Sequence, residues 1–186
     1  RHVRDVPLVG LLAARDVDGG RGTIDDPRGL RVERTIETAE GLLRLVERAT
    51  NLADAALEAP LLYHVNLGDW AETIATDSRA VAPRDTDAEP HDHSVVPARA
   101  DERERVREHV GATRALVHGS GIELEVCSSL PRLWQWIDPS LGALGIEPAN
   151  CSVLGRAHDR AEGRLPFLDP GETRETWLVI TAKETR

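Results

Sequence analysis

The sequence predicts an all-β protein, on three observations. Short apolar runs of strand length recur along the chain, Gly or Pro punctuates most of them, and several alternate apolar and polar residues. Many short strands with closely spaced turns build a sandwich rather than a helical bundle.

The elements follow in order. Val6 to Val17 is apolar and runs into the turn-rich stretch Asp18-Gly19-Gly20-Arg21-Gly22. Asp25-Asp26-Pro27-Arg28-Gly29 is a second turn, and Leu30 to Thr38 alternates as a half-buried strand does. Leu42 to Leu57 is ambiguous. Leu42, Leu45, Val46, Ala49, Leu52, Ala53 and Ala56 make a helical stripe, while Leu43, Leu45 and Thr50-Asn51 fit a strand and hairpin. Periodicity alone leans to helix there. Pro60 to Leu67 is a strand closed by Gly68-Asp69, and Pro83 to Pro97 has loop composition. Ala98 to Val110 is highly charged, with Val106 and Val110 at helical spacing. Strand-like runs follow at Thr113–Val117, Ile122–Cys127, Leu133–Ile137 and Leu141–Ile146. Asp169-Pro170-Gly171-Glu172 is a turn leading into a final strand, Thr176 to Thr181. A helical interaction domain built on Leu42–Leu57 and Ala98–Val117 is the rival reading.

The chain has 186 residues, room for one domain, and a formal net charge of −9. Acidic charge repels phosphate backbones, so no nucleic-acid partner is expected. No apolar run nears the roughly 18 residues of a membrane span, and Arg1 to Asp5 has no signal-peptide core behind it. Cys127 and Cys151 form no metal-spacing motif and no disulfide framework, so the expected compartment is a reducing cytoplasm. There is no Met, and residue 1 is Arg, as expected of a fragment or processed product.

Two segments carry chemistry. Pro60-Leu61-Leu62-Tyr63-His64-Val65-Asn66-Leu67-Gly68 and Leu144-Gly145-Ile146-Glu147-Pro148-Ala149-Asn150-Cys151 are apolar runs with one ionisable residue each, His64 and Glu147. In apolar surroundings such a group needs a partner or a task. The structural alternatives are a core His64 bonded to backbone and a Glu147 paired with Arg132 or Arg156. Tyr63 alternates with His64, so it faces the other side of the strand and reads as structural. Trp177 in the last strand reads as core. His91-Asp92-His93 puts two rings on one face, as metal sites do, but no third ligand is evident; the segment reads as the rim of a substrate loop, and no metal is expected.

With Pro131-Arg132-Leu133-Trp134-Gln135-Trp136, Gly155-Arg156 and Leu165-Pro166-Phe167-Leu168-Asp169-Pro170-Gly171-Glu172, these two segments resemble the aldose 1-epimerase-like proteins of the galactose mutarotase-like superfamily. Within it they are most similar to a branch described as a domain of unknown function. The resemblance runs from about Val6 to the end. It implies an antiparallel β-supersandwich, with 1–186 as a single partial domain similar to the C-terminal portion of the family fold. It also implies strand and turn, not helix, at Leu42–Leu57, and a strand at or beside Glu104, Val106 and His109.

The implied activity is interconversion of sugar anomers: a base takes the proton of the anomeric hydroxyl, an acid protonates the ring oxygen, and the ring opens and recloses. No cofactor is required, and the partner is a small-molecule sugar. By the resemblance His64 is the acid and Glu147 the base. His can hold and give a proton near neutrality, and the two tips are expected on the order of 5–8 Å apart to serve two oxygens on one carbon. Asn66, Gln135, Trp136, His91 and His109 are the expected substrate-binding residues, with Trp134 or Trp136 as a stacking platform for the sugar. A non-catalytic sugar-binding protein on the same fold is the alternative. It is favoured by two departures. Leu8-Val9-Gly10-Leu11 stands where the family tends to carry a Leu-His-Gly-Arg-like segment, and Ile137-Asp138 follows Trp136 where Lys is usual. A partial sandwich would leave strand edges exposed, so a homo-oligomer is expected.

Overall fold

The computed structural model describes residues 20–67, 70–84 and 104–185. Two antiparallel sheets face each other across one core. The first has seven strands: β1 (Gly20–Asp25), β2 (Leu30–Ala39), β3 (Leu42–Asn51), β6 (Thr73–Thr76), β9 (Arg114–Gly119), β10 (Ile122–Ser128) and β14 (Thr173–Glu184), in the order β1-β2-β3-β14-β10-β9-β6. The second has five: β5 (Val65–Leu67), β7 (Ala80–Pro83), β8 (Arg105–Val110), β11 (Arg132–Asp138) and β12 (Ala143–Ala149), in the order β5-β12-β11-β8-β7. A small ladder joins β4 (Leu57–Glu58) to β13 (Phe167–Leu168), and one short helix, α1, spans Arg156–Ala161.

The core between the sheets takes Ile74, Val117, Val126 and Leu178 from the larger sheet and Leu67, Leu133, Ile137, Leu144 and Ile146 from the smaller. A second cluster, Val106, Trp134 and Ala149 with Leu62 and Trp136 against it, lies on the other face of the five-stranded sheet. That sheet is therefore packed on both sides, which is why β12 reads as a nearly continuous apolar run.

The antiparallel supersandwich expected from the resemblance is the observed fold, and the helical rival is overturned. β3 is a strand because it lies between β2 and β14 and pairs with both along most of its length; ladder hydrogen bonds on two sides outweigh a local helical stripe. β8 is likewise a strand between β11 and β7. Two expectations need correction. Gly20-Arg21-Gly22 belongs to β1 rather than to a turn; β1 pairs only with β2 among the described strands, a position where glycine is tolerated. Trp177 is not core: it is 37% exposed between buried Thr176 and Leu178, because strand alternation turns it outward. Residues 1–19, with Val9 and Leu11, lie outside the described residues, as do 85–103 with His91. Among the described residues no helix is long and apolar enough to cross a membrane.

Candidate functional site

Register places the two ionisable residues. β5 pairs with β12 as Val65↔Ile146, Gly145↔Asn66 and Leu144↔Leu67, and an isolated bridge joins Leu62 to Ala149. The Tyr63 N–H donates to the Pro148 carbonyl at 2.9 Å, between those contacts. One unbroken register therefore sets His64 opposite Glu147, and cross-strand neighbours stand close enough for their tips to meet. They do meet: His64 Nδ1 lies 2.7 Å from Glu147 Oε1. This is shorter than the separation expected from the chemistry alone, because both side chains rise from the same face and lean together. The imidazole is 42% exposed, whereas the carboxylate is only 8% exposed beneath it.

Gly145 makes this arrangement possible. A Cβ there would stand 3.0 Å from His64 Cε1, 3.1 Å from Nε2 and 3.2 Å from Trp136 Cε3. The missing side chain is the floor on which the imidazole lies. The Trp136 ring is tilted at 59° to it, with centroids 5.5 Å apart. A glycine inside a strand-like run is the sequence signal that marks such a close approach, and Gly145 is the position beneath His64 that motif reading alone passes over.

The row that starts at His64 and Glu147 continues to Trp134 and Glu108, and the next row carries Asn66, Gly145, Trp136 and Val106. His64, Glu147, Asn66 and Trp136 thus share one face. Trp134 is buried, and its indole N–H donates to the Cys151 carbonyl at 3.2 Å, so of the two platform candidates Trp136 is the accessible one. The alternative Glu147–Arg132 pair is not formed: Arg132 Nη1 donates to Glu108 at 2.7 Å, and Arg156 is 3.9 Å from Glu58.

Gln135 and His109 are elsewhere. Strand parity turns both to the core face, where Gln135 is fully buried and His109 nearly so. His109 Nε2 donates to Gln135 Oε1 at 2.9 Å, and its Nδ1 is 3.0 Å from Thr76 Oγ1. They tie the sheets together instead of lining the cleft, which corrects their reading as substrate-binding residues. Tyr63 is structural, as expected from its parity. Its hydroxyl donates to Glu47 at 2.5 Å and lies 3.2 Å from Thr176 Oγ1; burial first, and Glu47 second, hold its ionisation far above the usual range. Glu47 in turn accepts from Arg34 Nε at 2.7 Å.

Among the described residues, cavities flank the sheets. One, of about 230 Å³, is lined by Arg28, Leu30, Ala56, Leu57 and Glu58 and includes none of the residues above. The other, of about 170 Å³, is lined by Glu108, Arg132 and Trp134 among others, on the same sheet face, and includes neither His64 nor Glu147. Among the described residues no cluster of His, Cys, Asp and Glu could hold a metal ion.

Comparison with known proteins agrees with the fold. The family model described as "Domain of unknown function (DUF4432)" matches residues 27–182. The chain is similar to the solved structure of the Slr1438 protein from Synechocystis sp. PCC 6803, with 18% identity and a TM-score of 0.69 over 90% of this chain and 61% of that one. It is similar to a protein from Klebsiella pneumoniae provisionally called an aldose 1-epimerase, with 17% identity and a TM-score of 0.74 over 90% and 50%. A third is galactose 1-epimerase from Lactobacillus acidophilus NCFM, with 16% identity and a TM-score of 0.62 over 93% and 65%. The chain thus spans between half and two thirds of the length of these structures. No curated protein matches it.

Proposed function

This chain belongs to the DUF4432 family, and from that premise we propose that it is a carbohydrate epimerase of the aldose 1-epimerase type. The observation that carries the reading is the 2.7 Å contact between His64 Nδ1 and Glu147 Oε1, built from two apolar runs far apart in sequence. An exposed imidazole over a nearly buried carboxylate is an acid and a base in one place, and both are needed at a hemiacetal.

On this reading a sugar enters from the side of Trp136, whose ring supplies a flat apolar surface for C–H groups. His64, the more exposed partner, swings off Glu147 and delivers its proton to the ring oxygen. Glu147 takes the proton of the anomeric hydroxyl. The C1–O5 bond breaks as the C1 carbonyl forms, the aldehyde carbon rotates, and the reverse transfers close the ring on its other face. Protons and electrons balance without a redox partner. Asn66, on the neighbouring row, hydrogen-bonds a hydroxyl.

The test is anomer exchange of several aldoses, followed by saturation-transfer NMR. Wild type should exceed the buffer rate, and His64→Ala and Glu147→Gln should each lose about 10²–10⁴-fold, the usual share of a positioned acid or base. Sugar binding without acceleration would support the non-catalytic alternative, which the unusual Leu8-Val9-Gly10-Leu11 segment favours.

A further inference from the structure

Strand β8 divides its side chains between two faces. Val106 and Glu108 lie on the His64–Glu147 face, and Arg105, Arg107 and His109 lie on the face turned to the larger sheet. Arg107 is 3% exposed. A guanidinium stays charged at every pH the fold survives, and a buried charge is costly unless a counter-charge meets it.

No counter-charge meets this one among the described residues. Glu108, next in the chain, is on the opposite face and accepts from Arg132 at 2.7 Å. Glu104 accepts from Arg84 at 3.1 Å. Asp138 of the neighbouring strand β11 shares the parity of Trp134 and Trp136, away from Arg107, and accepts from Ser140 at 2.9 Å. The nearest ionic influence is repulsive: burial first, and Arg105 second, lower the pKa of Arg107.

A second buried donor stands beside it. Register sets Gln135 directly opposite Arg107, with Cβ atoms of such pairs about 4.5–5.5 Å apart. Gln135 is fully buried, and its Oε1 is taken by His109 at 2.9 Å. Gln135 Nε2 and Arg107 Nη2 are both buried without a hydrogen-bond partner. Donors that share a face and lack an acceptor call for an oxygen-bearing anion. Turning the Gln135 amide round would offer Arg107 a neutral oxygen and leave its charge uncompensated. The position is also reachable. On the other side of β8, Arg107 pairs with Pro83 of β7, the edge strand of this sheet among the described strands, and Pro83 is exposed.

We infer that Arg107 and Gln135 form a binding site for one small oxyanion, an inorganic phosphate or sulfate or a short carboxylate, on the face of the five-stranded sheet opposite His64 and Glu147. The guanidinium fork takes two of its oxygens, and the Gln135 amide donates to it as well. The site stands independently of the epimerase reading.

The test is thermal unfolding of the full chain in chloride buffer at constant pH and ionic strength, with chloride replaced stepwise by phosphate, sulfate or formate. At least one oxyanion should raise Tm along a saturating curve, as a ligand of the folded state does; the three arms separate a tetrahedral preference from a planar one. Arg107→Met should weaken that oxyanion's apparent affinity about tenfold or more. In chloride alone the same variant should be at least as stable as wild type, because it removes a buried charge that nothing offsets. A Tm that rises without saturating, equally in wild type and Arg107→Met, marks exclusion of salt from the surface and overturns the inference, as does no response to any oxyanion. Should Arg107→Met fail to fold, Arg107→Lys takes its place, keeping the charge and losing the fork. Affinity lowered about tenfold supports the site, and affinity unchanged overturns it.

Discussion

Cys151 shows how one residue reports on its surroundings. Burial, with Asp159 adding to it, pushes the thiol up from an ordinary value of 9.0 to about 11. The thiolate is the reactive form, so labelling by a neutral alkylating reagent should be slow at pH 8 and accelerate only as pH climbs toward 11. The linkage has the same sign. A raised pKa in the folded state favours the protonated thiol, so its contribution is intact below pH 9 and is lost as pH rises toward 11. Measuring labelling rate against pH in the native and urea-unfolded chain checks both; a native midpoint near 9 would contradict the burial. At this scale His64 and Glu147 were legible, since a lone ionisable group is costly inside an apolar run unless it has a partner or a task. Gln135 and His109 were not, because which face a side chain takes depends on strand parity, and parity is fixed by pairings that a single sequence does not display.

Strand β12 is where residue choice becomes an element's property. Gly145 leaves a gap that the His64 imidazole fills, and the clash a methyl would bring is with two side-chain rings, those of His64 and Trp136, not with backbone. Gly145→Ala should therefore cost little stability, within about 1 kcal/mol, while displacing His64 and lowering anomer exchange at least tenfold. Paired measurements of urea midpoint and exchange rate test this; a variant with full exchange would show that the imidazole's resting place is immaterial. The strands from Arg114 to Ala149 were readable because Gly and Pro mark their ends. β3 was not readable from periodicity, since its apolar positions satisfy both repeats and only the β2 and β14 ladders decide between them. The helix Arg156–Ala161 is too short to leave a periodic signal.

Across the whole molecule the two sheets are joined by polar ties as well as by the apolar core. Tyr63, next to β5 in the smaller sheet, donates to Glu47 of β3 and touches Thr176 of β14 in the larger. Tyr63→Phe would leave the buried Glu47 carboxylate short of one donor. It should cost about 1–3 kcal/mol and lower Tm by several degrees, with the His64–Glu147 contact intact; calorimetry beside exchange rates separates the two. The sandwich architecture was legible from strand spacing and from the family resemblance together. Its division into seven and five strands was not, because sheet order depends on long-range pairings such as β14 between β3 and β10.

His64 and Glu147 are held to act as one unit, and everything proposed about sugars depends on that. The most direct measurement is a double-mutant cycle on anomer exchange, with wild type, His64→Ala, Glu147→Gln and the double variant. Groups that work together lose their contribution only once, so the double variant should be about as slow as either single variant. Losses that multiply, or an exchange rate that neither substitution alters, would contradict the account.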